Sequence, residues 1–191
     1  MNEDTARRMN QIYENIENRV FKSKIHAGAE IEFYIFDYPA DVELEIRDHT
    51  KAVLGQLAAH YPNKKVIEVN LFAMLLELLK SRKLLDKAIK MQTNKSNDAV
   101  LKALKGPLSE KKVGEFLVKK YKDKNADLIF LTGVGSAWPL LKSHTLLNNL
   151  QVALDGTPLV VFYPGDYDGK SLTLFSTIKN TNYYRAHRLV S

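Results

Sequence analysis

Apolar positions fall into alternating helical and strand-like runs along this chain. From Asp4 to about Phe21 they recur at helical spacing (Met9, Ile12, Tyr13, Ile16, Val20), which predicts an amphipathic helix packed on the rest of the protein, followed by the polar joint KSKIHAGAE. IEFYIFDY, residues 31–38, is short, β-branched and aromatic, and Pro39 ends it, as expected of a first strand. Val42, Leu44, Ile46, Val53, Leu54 and Leu57 return to a helical period until Tyr61-Pro62-Asn63, and KVIEVNL, residues 65–71, predicts a second strand. LFAMLLELLKSRKLLDKAIK predicts one long helix. Two shorter ones follow, from Asp98 to Lys105 and from Ser109 to Tyr121, with Asn97 or Asp98 as an N-cap and Gly106-Pro107 as the break between them. DLIFLT, residues 127–132, is almost wholly apolar, the pattern of a strand buried on both faces. A helix over Ser143 to Leu154, strands at TPLVVFYP and SLTLFST, and a final strand in NYYRAHRLV complete the pattern.

Strands alternating with helices predict an α/β fold: a mainly parallel sheet of five to six strands covered by helices. Residues 1–30 form the N-terminal helix and joint, and residues 31–191 one α/β domain whose helical segment 72–124 is a lysine-rich crossover. Ligands of such sheets bind beyond the carboxyl ends of the strands. Those ends carry Asp37 and Tyr38, Asn70, Thr132 to Ser136, and Tyr163 to Asp168.

Composition narrows the chemistry. The chain has no cysteine, which excludes disulfides, thiolate catalysis and cysteine-ligated metal. No apolar run is long enough for a membrane span and the N-terminus is polar, so a cytoplasmic protein is expected. The net charge of +6 is uneven: residues 80–124 hold 14 basic against 5 acidic residues, whereas residues 1–79 hold 9 against 13. A solvated helical face is the plain reading of such a run. Non-specific contact with DNA phosphates through Lys102, Lys105, Lys111, Lys112, Lys119 and Lys120 is the functional alternative.

No catalytic motif is complete. Gly133-Val134-Gly135-Ser136 follows a strand and precedes a helix, where backbone amides can cradle phosphate. Trp138 stands where a dinucleotide fingerprint needs its third glycine, and no Gly-Lys-Ser/Thr follows the turn. A tight turn requiring glycine dihedrals is therefore favoured over an unorthodox nucleotide or phosphate site. His144 lies near Ser136 and Ser143, but G-x-S-x-G is absent and a cap or packing role suits the histidine better. The five histidines are dispersed, so no metal or other cofactor is expected; Asp37, Glu68, Asp166 and Asp168 would have to converge to hold magnesium. Asp166 and Asp168 also suit a turn. Pro39 replaces the second aspartate that an aspartyl phosphohydrolase needs after Asp37.

The segments LTGVGSAWPLLKSHTLLNNLQ, FYPGDYDGKSL and NYYRAHRL resemble the BrxB family of the BREX bacteriophage-defence systems, and FYIFDY, VIEVNLF and LLELLKSRKLLDKAI fit the same pattern. The resemblance covers nearly the whole chain from about Ile31. It implies membership of a multi-protein system that methylates host DNA and blocks phage replication, with a methyltransferase, a PglZ-type alkaline-phosphatase-like protein and a large ATPase as companions. It implies for this chain a non-catalytic role binding a companion, the PglZ-type protein being favoured, with possible DNA contact within the complex. Candidate ligand- or partner-binding residues are Asp37, Asn70, Gly133, Gly135, Ser136, His144, Asn148, Asn149, Tyr163, Asp166 and Asp168.

Overall fold

The computed structural model describes residues 3–22, 33–121, 125–141, 157–179 and 186–191. Helix α1 (Glu3–Asn10) and helix α2 (Ile12–Ile16) run into a π-helical turn at Glu17–Phe21. The single amphipathic helix expected there is thus broken at Gln11, but its stripe is buried as predicted: Met9, Ile12, Ile16 and Val20. Strand β1 (Phe33–Tyr38) is followed by a 3-10 turn (Ala40–Val42) and helix α3 (Glu43–His60). Strand β2 (Val66–Asn70) leads into the crossover helices α4 (Leu71–Ser81), α5 (Leu85–Asn94), α6 (Asn97–Leu104) and α7 (Glu110–Tyr121). Strand β3 (Leu128–Thr132) and the one-turn helix α8 (Val134–Ala137) precede strand β4 (Leu159–Tyr167), and short strands β5 (Leu172–Leu174), β6 (Ile178–Lys179) and β7 (His187–Arg188) end the chain.

The long helix expected over residues 71–90 is two helices. Lys83 adopts φ 56°. Leu84 N–H bonds Leu79 O at 2.9 Å and Lys83 N–H bonds Lys80 O at 2.9 Å, the paired bonds of a Schellman stop. Such stops ordinarily use glycine, which costs nothing in the left-handed region; here the apolar contact of Leu84 with the core compensates a lysine. Ser96, rather than Asn97 or Asp98, caps α6 through its side chain.

The sheet order is β2-β3-β4-β1-β7, all parallel, and β5 and β6 continue from β4 as an antiparallel hairpin. The mainly parallel α/β sheet is as the alternation of elements predicts. Side chains alternate between the two faces, as the period of a strand requires. Phe33, Ile35, Ile129, Leu131 and Val161 pack under the leucines of α4 and the apolar stripe of α7. Tyr34, Phe36, Phe130, Val160 and Phe162 pack under the N-terminal helices and α3. Asp37 pairs in register with Tyr163, Tyr38 with Pro164, and Asn70 with Thr132, so the carboxyl ends of four strands finish along one edge.

Candidate functional site

The turn after β3 is shaped by packing. Gly133 has φ 69°, and a Cβ on it would lie 2.7 Å from Asn70 Oδ1. Asn70 in turn caps α4, its Oδ1 accepting from Ala73 N–H at 3.0 Å. Gly135 sits at an ordinary φ; it is needed for size, because a Cβ there would meet Pro164 Cγ at 2.8 Å and Phe175 Cε1 at 2.9 Å. The predicted role for glycine dihedrals therefore applies to Gly133 alone. With Asn70 against one glycine and Pro164 and Phe175 against the other, and a helix of only one turn beyond them, the segment has the character of a packing junction.

A chain of polar contacts crosses the strand ends. Tyr38 Oη donates to Glu43 Oε2 at 2.5 Å, Arg47 Nε donates to Glu43 Oε1 at 2.8 Å, and Arg47 Nη2 donates to Ser136 Oγ at 3.0 Å. Burial, and then the negative charge of Glu43, push the Tyr38 hydroxyl far above its ordinary pKa, so it remains a donor at every physiological pH. This chain ties the end of β1 and the first turns of α3 to the turn after β3.

Beside it the surface is apolar and aromatic. Trp138, at the end of α8, is 43% exposed. Phe175 meets it edge-on at 6.0 Å between centroids. Phe175 and Ser176 are the central residues of the β5–β6 turn and both have positive φ, 53° and 56°. The turn Leu174–Thr177 is closed by Thr177 N–H on Leu174 O at 3.1 Å, and hairpin turns with positive φ at both central residues ordinarily use Asn-Gly there. Phe175 N–H bonds Pro164 O at 2.9 Å, which fixes the ring over Gly135. Leu44, 69% exposed, lies one helical turn before Arg47 on α3.

The other predicted residues divide. Asp37 is buried in an ionic cluster: Oδ1 is 2.6 Å from Arg8 Nη2, while Oδ2 is 3.4 Å from Arg188 Nη2 and accepts from Tyr167 N–H at 3.2 Å. Arg188 also donates to Tyr167 O, and the Arg8 guanidinium lies 5.2 Å from the centre of the Phe36 ring. Both Asp37 oxygens are thus engaged in joining α1, β1, β4 and the C-terminal residues. Tyr163 is fully buried in the core beneath the crossover. Asp166 is exposed on β4 opposite Thr173. Asp168 accepts from Lys170 N–H at 2.8 Å, Ser171 N–H at 2.7 Å and Ser171 Oγ at 2.7 Å. The Ser171 amide first, then its hydroxyl and the Lys170 amide, hold the Asp168 carboxyl down at about 2. His144, Asn148 and Asn149 lie outside the described residues.

The lysines divide as well. Lys102, Lys105 and Lys111 are exposed, whereas Lys112, Lys119 and Lys120 line a groove between α4 and α7. Among the described residues no group of three histidines or carboxylates could hold a metal ion: Glu68 accepts from Thr132 Oγ1 at 2.7 Å, away from the Asp37 cluster and from the Asp168 turn. Also among the described residues, no helix is long and apolar enough to cross a membrane. The helical period puts Leu44 with the apolar positions of α3, yet it is exposed while Val42, Ile46, Val53 and Leu57 are buried; Arg47 and Phe175 are not marked by sequence. Arg47 carries one faint signal, the i, i+4 pair with Glu43; Phe175 carries none, since nothing in LFST announces a left-handed turn.

The family profile described as BREX protein BrxB matches residues 67–189. The chain is similar to a BREX protein BrxB of Escherichia coli O9:H4 (strain HS), 38% identical over 96% of this chain and 90% of the relative. It is equally similar to a BREX protein BrxB of Bacillus cereus (strain H3081.97), 38% identical over 96% of both chains. No solved structure matches it. The profile spans the crossover, the turn after β3 with Trp138, and the β4–β5 hairpin, and with two relatives aligned nearly end to end the chain belongs to the BrxB family of BREX proteins.

Proposed function

We propose that the chain is a non-catalytic interaction subunit of a BREX-type phage-defence complex, acting in the cytoplasm and docking a companion protein, the PglZ-type one being favoured, on the surface built from Leu44, Arg47, Trp138 and Phe175. One observation carries this reading: a large aromatic side chain stands in solvent, braced by a second aromatic held in an unfavourable backbone conformation. Tryptophan and arginine dominate the energetics of protein interfaces, and a pre-ordered anchor loses little side-chain entropy on binding. The polar chain from Tyr38 to Ser136 supports the same reading, since it holds Arg47 on Ser136, two residues before Trp138. The test is co-purification of the chain with the other proteins of its own BREX system, singly and together, with and without DNA. Stable capture of a companion by the wild-type chain is expected; failure to capture any of them would sink the proposal.

A further inference from the structure

The crossover carries a second surface. Between α4 and α7 lies a groove of about 610 Å³, with Leu78 and Phe116 as apolar floor and Arg82, Lys112, Lys119 and Lys120 along its walls. The α7 members recur at helical spacing, so they form one face, and the stretch from Lys112 to Lys120 spans roughly 12 Å at the rise of an α-helix. Two of the four cations are already committed: Lys120 pairs with Glu77, and Lys112 donates to Gly106 O at 2.9 Å. Arg82 and Lys119 are exposed, and their side chains have no hydrogen bond or ion pair among the described residues. The groove thus presents two uncommitted positive charges above an apolar floor, within a segment holding 14 basic against 5 acidic residues.

We propose that this groove docks an acidic segment of a companion BREX protein, with an apolar side chain seated on Leu78 and Phe116 and carboxylates meeting Arg82 and Lys119. Charge complementarity selects an acidic occupant, and the lining selects protein over nucleic acid. Glu77 is already paired with Lys120, and the apolar floor of Leu78 and Phe116 gives a phosphate backbone no partner, whereas it can seat an apolar side chain. A peptide with an apolar anchor and an acidic flank satisfies both features, in the manner of segments laid into the groove between two helices. The long lysine stems contribute apolar wall while their ammonium groups reach the rim.

This inference rests on the reading of the chain as an interaction subunit, and the test separates the two. The full chain is co-expressed with its tagged companion BREX proteins as wild type, as Arg82→Glu/Lys119→Glu, as Arg82→Ala/Lys119→Ala, and as Lys102→Glu/Lys105→Glu, which makes the same charge change off the groove. Expected are an unchanged melting temperature in all variants and a loss of captured companion of about tenfold in the glutamate variant, with a smaller loss in the alanine variant and none in the off-groove control. Carbodiimide coupling of the wild-type complex should join Lys119 to an aspartate or glutamate of the companion. Capture undiminished in both groove variants overturns the groove while leaving the strand-end surface standing. Equal loss in the off-groove control reduces the effect to net charge and overturns it too. Loss of salt-sensitive duplex DNA binding by the groove variants, with companion capture intact, replaces the acidic segment with nucleic acid. A wild-type chain that captures no companion removes both proposals.

Discussion

Trp138 meets Phe175 with the two ring planes at 89°, so the exposed indole rests edge-on against a side chain whose own backbone is held at φ 53°. A left-handed conformation costs a non-glycine residue about 1–2 kcal/mol. Here three contacts fix it: the Phe175 amide on Pro164 O, the ring over Gly135, and the ring edge on Trp138. Local strain of this kind survives where the surroundings over-determine it, and it gathers at working surfaces.

Trp138→Ala separates surface from scaffold. With nearly half of the residue in solvent, Trp138 contributes to folding only through its covered part and its edge-on contact with Phe175, so urea unfolding should register a loss of about 1–2 kcal/mol. Association with the companion should fall by about 2 kcal/mol or more, the range of an interface anchor. Undiminished capture by the variant would remove the strand-end surface from consideration.

Ser176→Gly should stabilise the protein. Ser176 is exposed, has φ 56°, and follows Phe175 in a turn whose second position favours glycine. Relief of the left-handed strain outweighs the extra freedom glycine gives the unfolded chain, leaving a gain of about 0.5–1 kcal/mol, visible as a raised melting temperature. Phe175→Gly relieves the same strain but forfeits the ring, and should lower the melting temperature instead. Two gains would show that the Phe175 ring holds nothing in place.

These residues mark how far the sequence could be followed. Period-two and period-3.6 patterns located the strands and helices that carry core, because burial writes itself into residue type: Phe33 and Ile35 go to one face, Tyr34 and Phe36 to the other. Interruptions made by unusual residues left no trace. Lys83 ends α4 in a position where glycine is ordinary, and Phe175-Ser176 makes a turn where Asn-Gly is ordinary. The strand-end rule gathered Asn70, Gly133, Gly135 and Ser136 onto one edge, as the parallel register requires. It could not distinguish Asp37 as an internal ionic partner from a ligand-facing carboxylate, since that depends on Arg8 and Arg188, distant in sequence. Arg47 was beyond reach for the same reason: its contact with Ser136 joins residues 89 positions apart.

The Asp37 cluster yields an asymmetric mutational cycle. Asp37 and Arg8 side chains are 10% and 11% exposed, and Arg188 is 40% exposed. Asp37→Leu leaves the buried Arg8 without its carboxylate and should cost about 3–5 kcal/mol in urea unfolding. Arg8→Met leaves Asp37 with Arg188 and the Tyr167 amide, and should cost less, about 1–3 kcal/mol. The double variant should be more stable than Asp37→Leu alone, because no buried cation is stranded. Additive losses would mean that the two groups are not coupled.

Asp168 supplies a prediction in pH. Its carboxyl is lowered from 3.8 to about 2 by the Ser171 amide and hydroxyl and the Lys170 amide. A depressed carboxylate stabilises the fold fully above its unfolded value; that contribution is lost as pH falls through the folded one. The β4–β5 turn should therefore loosen between about pH 4 and pH 2, with no change from this group at neutral pH. Followed by NMR, the Asp168 carboxyl carbon and the Lys170 and Ser171 amide protons should share one midpoint near 2, and Asp168→Asn should abolish that transition in the amides. A midpoint at 3.8 would mean that the three hydrogen bonds do not form in solution. Because these bonds occupy both carboxylate oxygens within the turn, Asp168→Asn should leave companion capture unchanged at neutral pH, in contrast to Trp138→Ala.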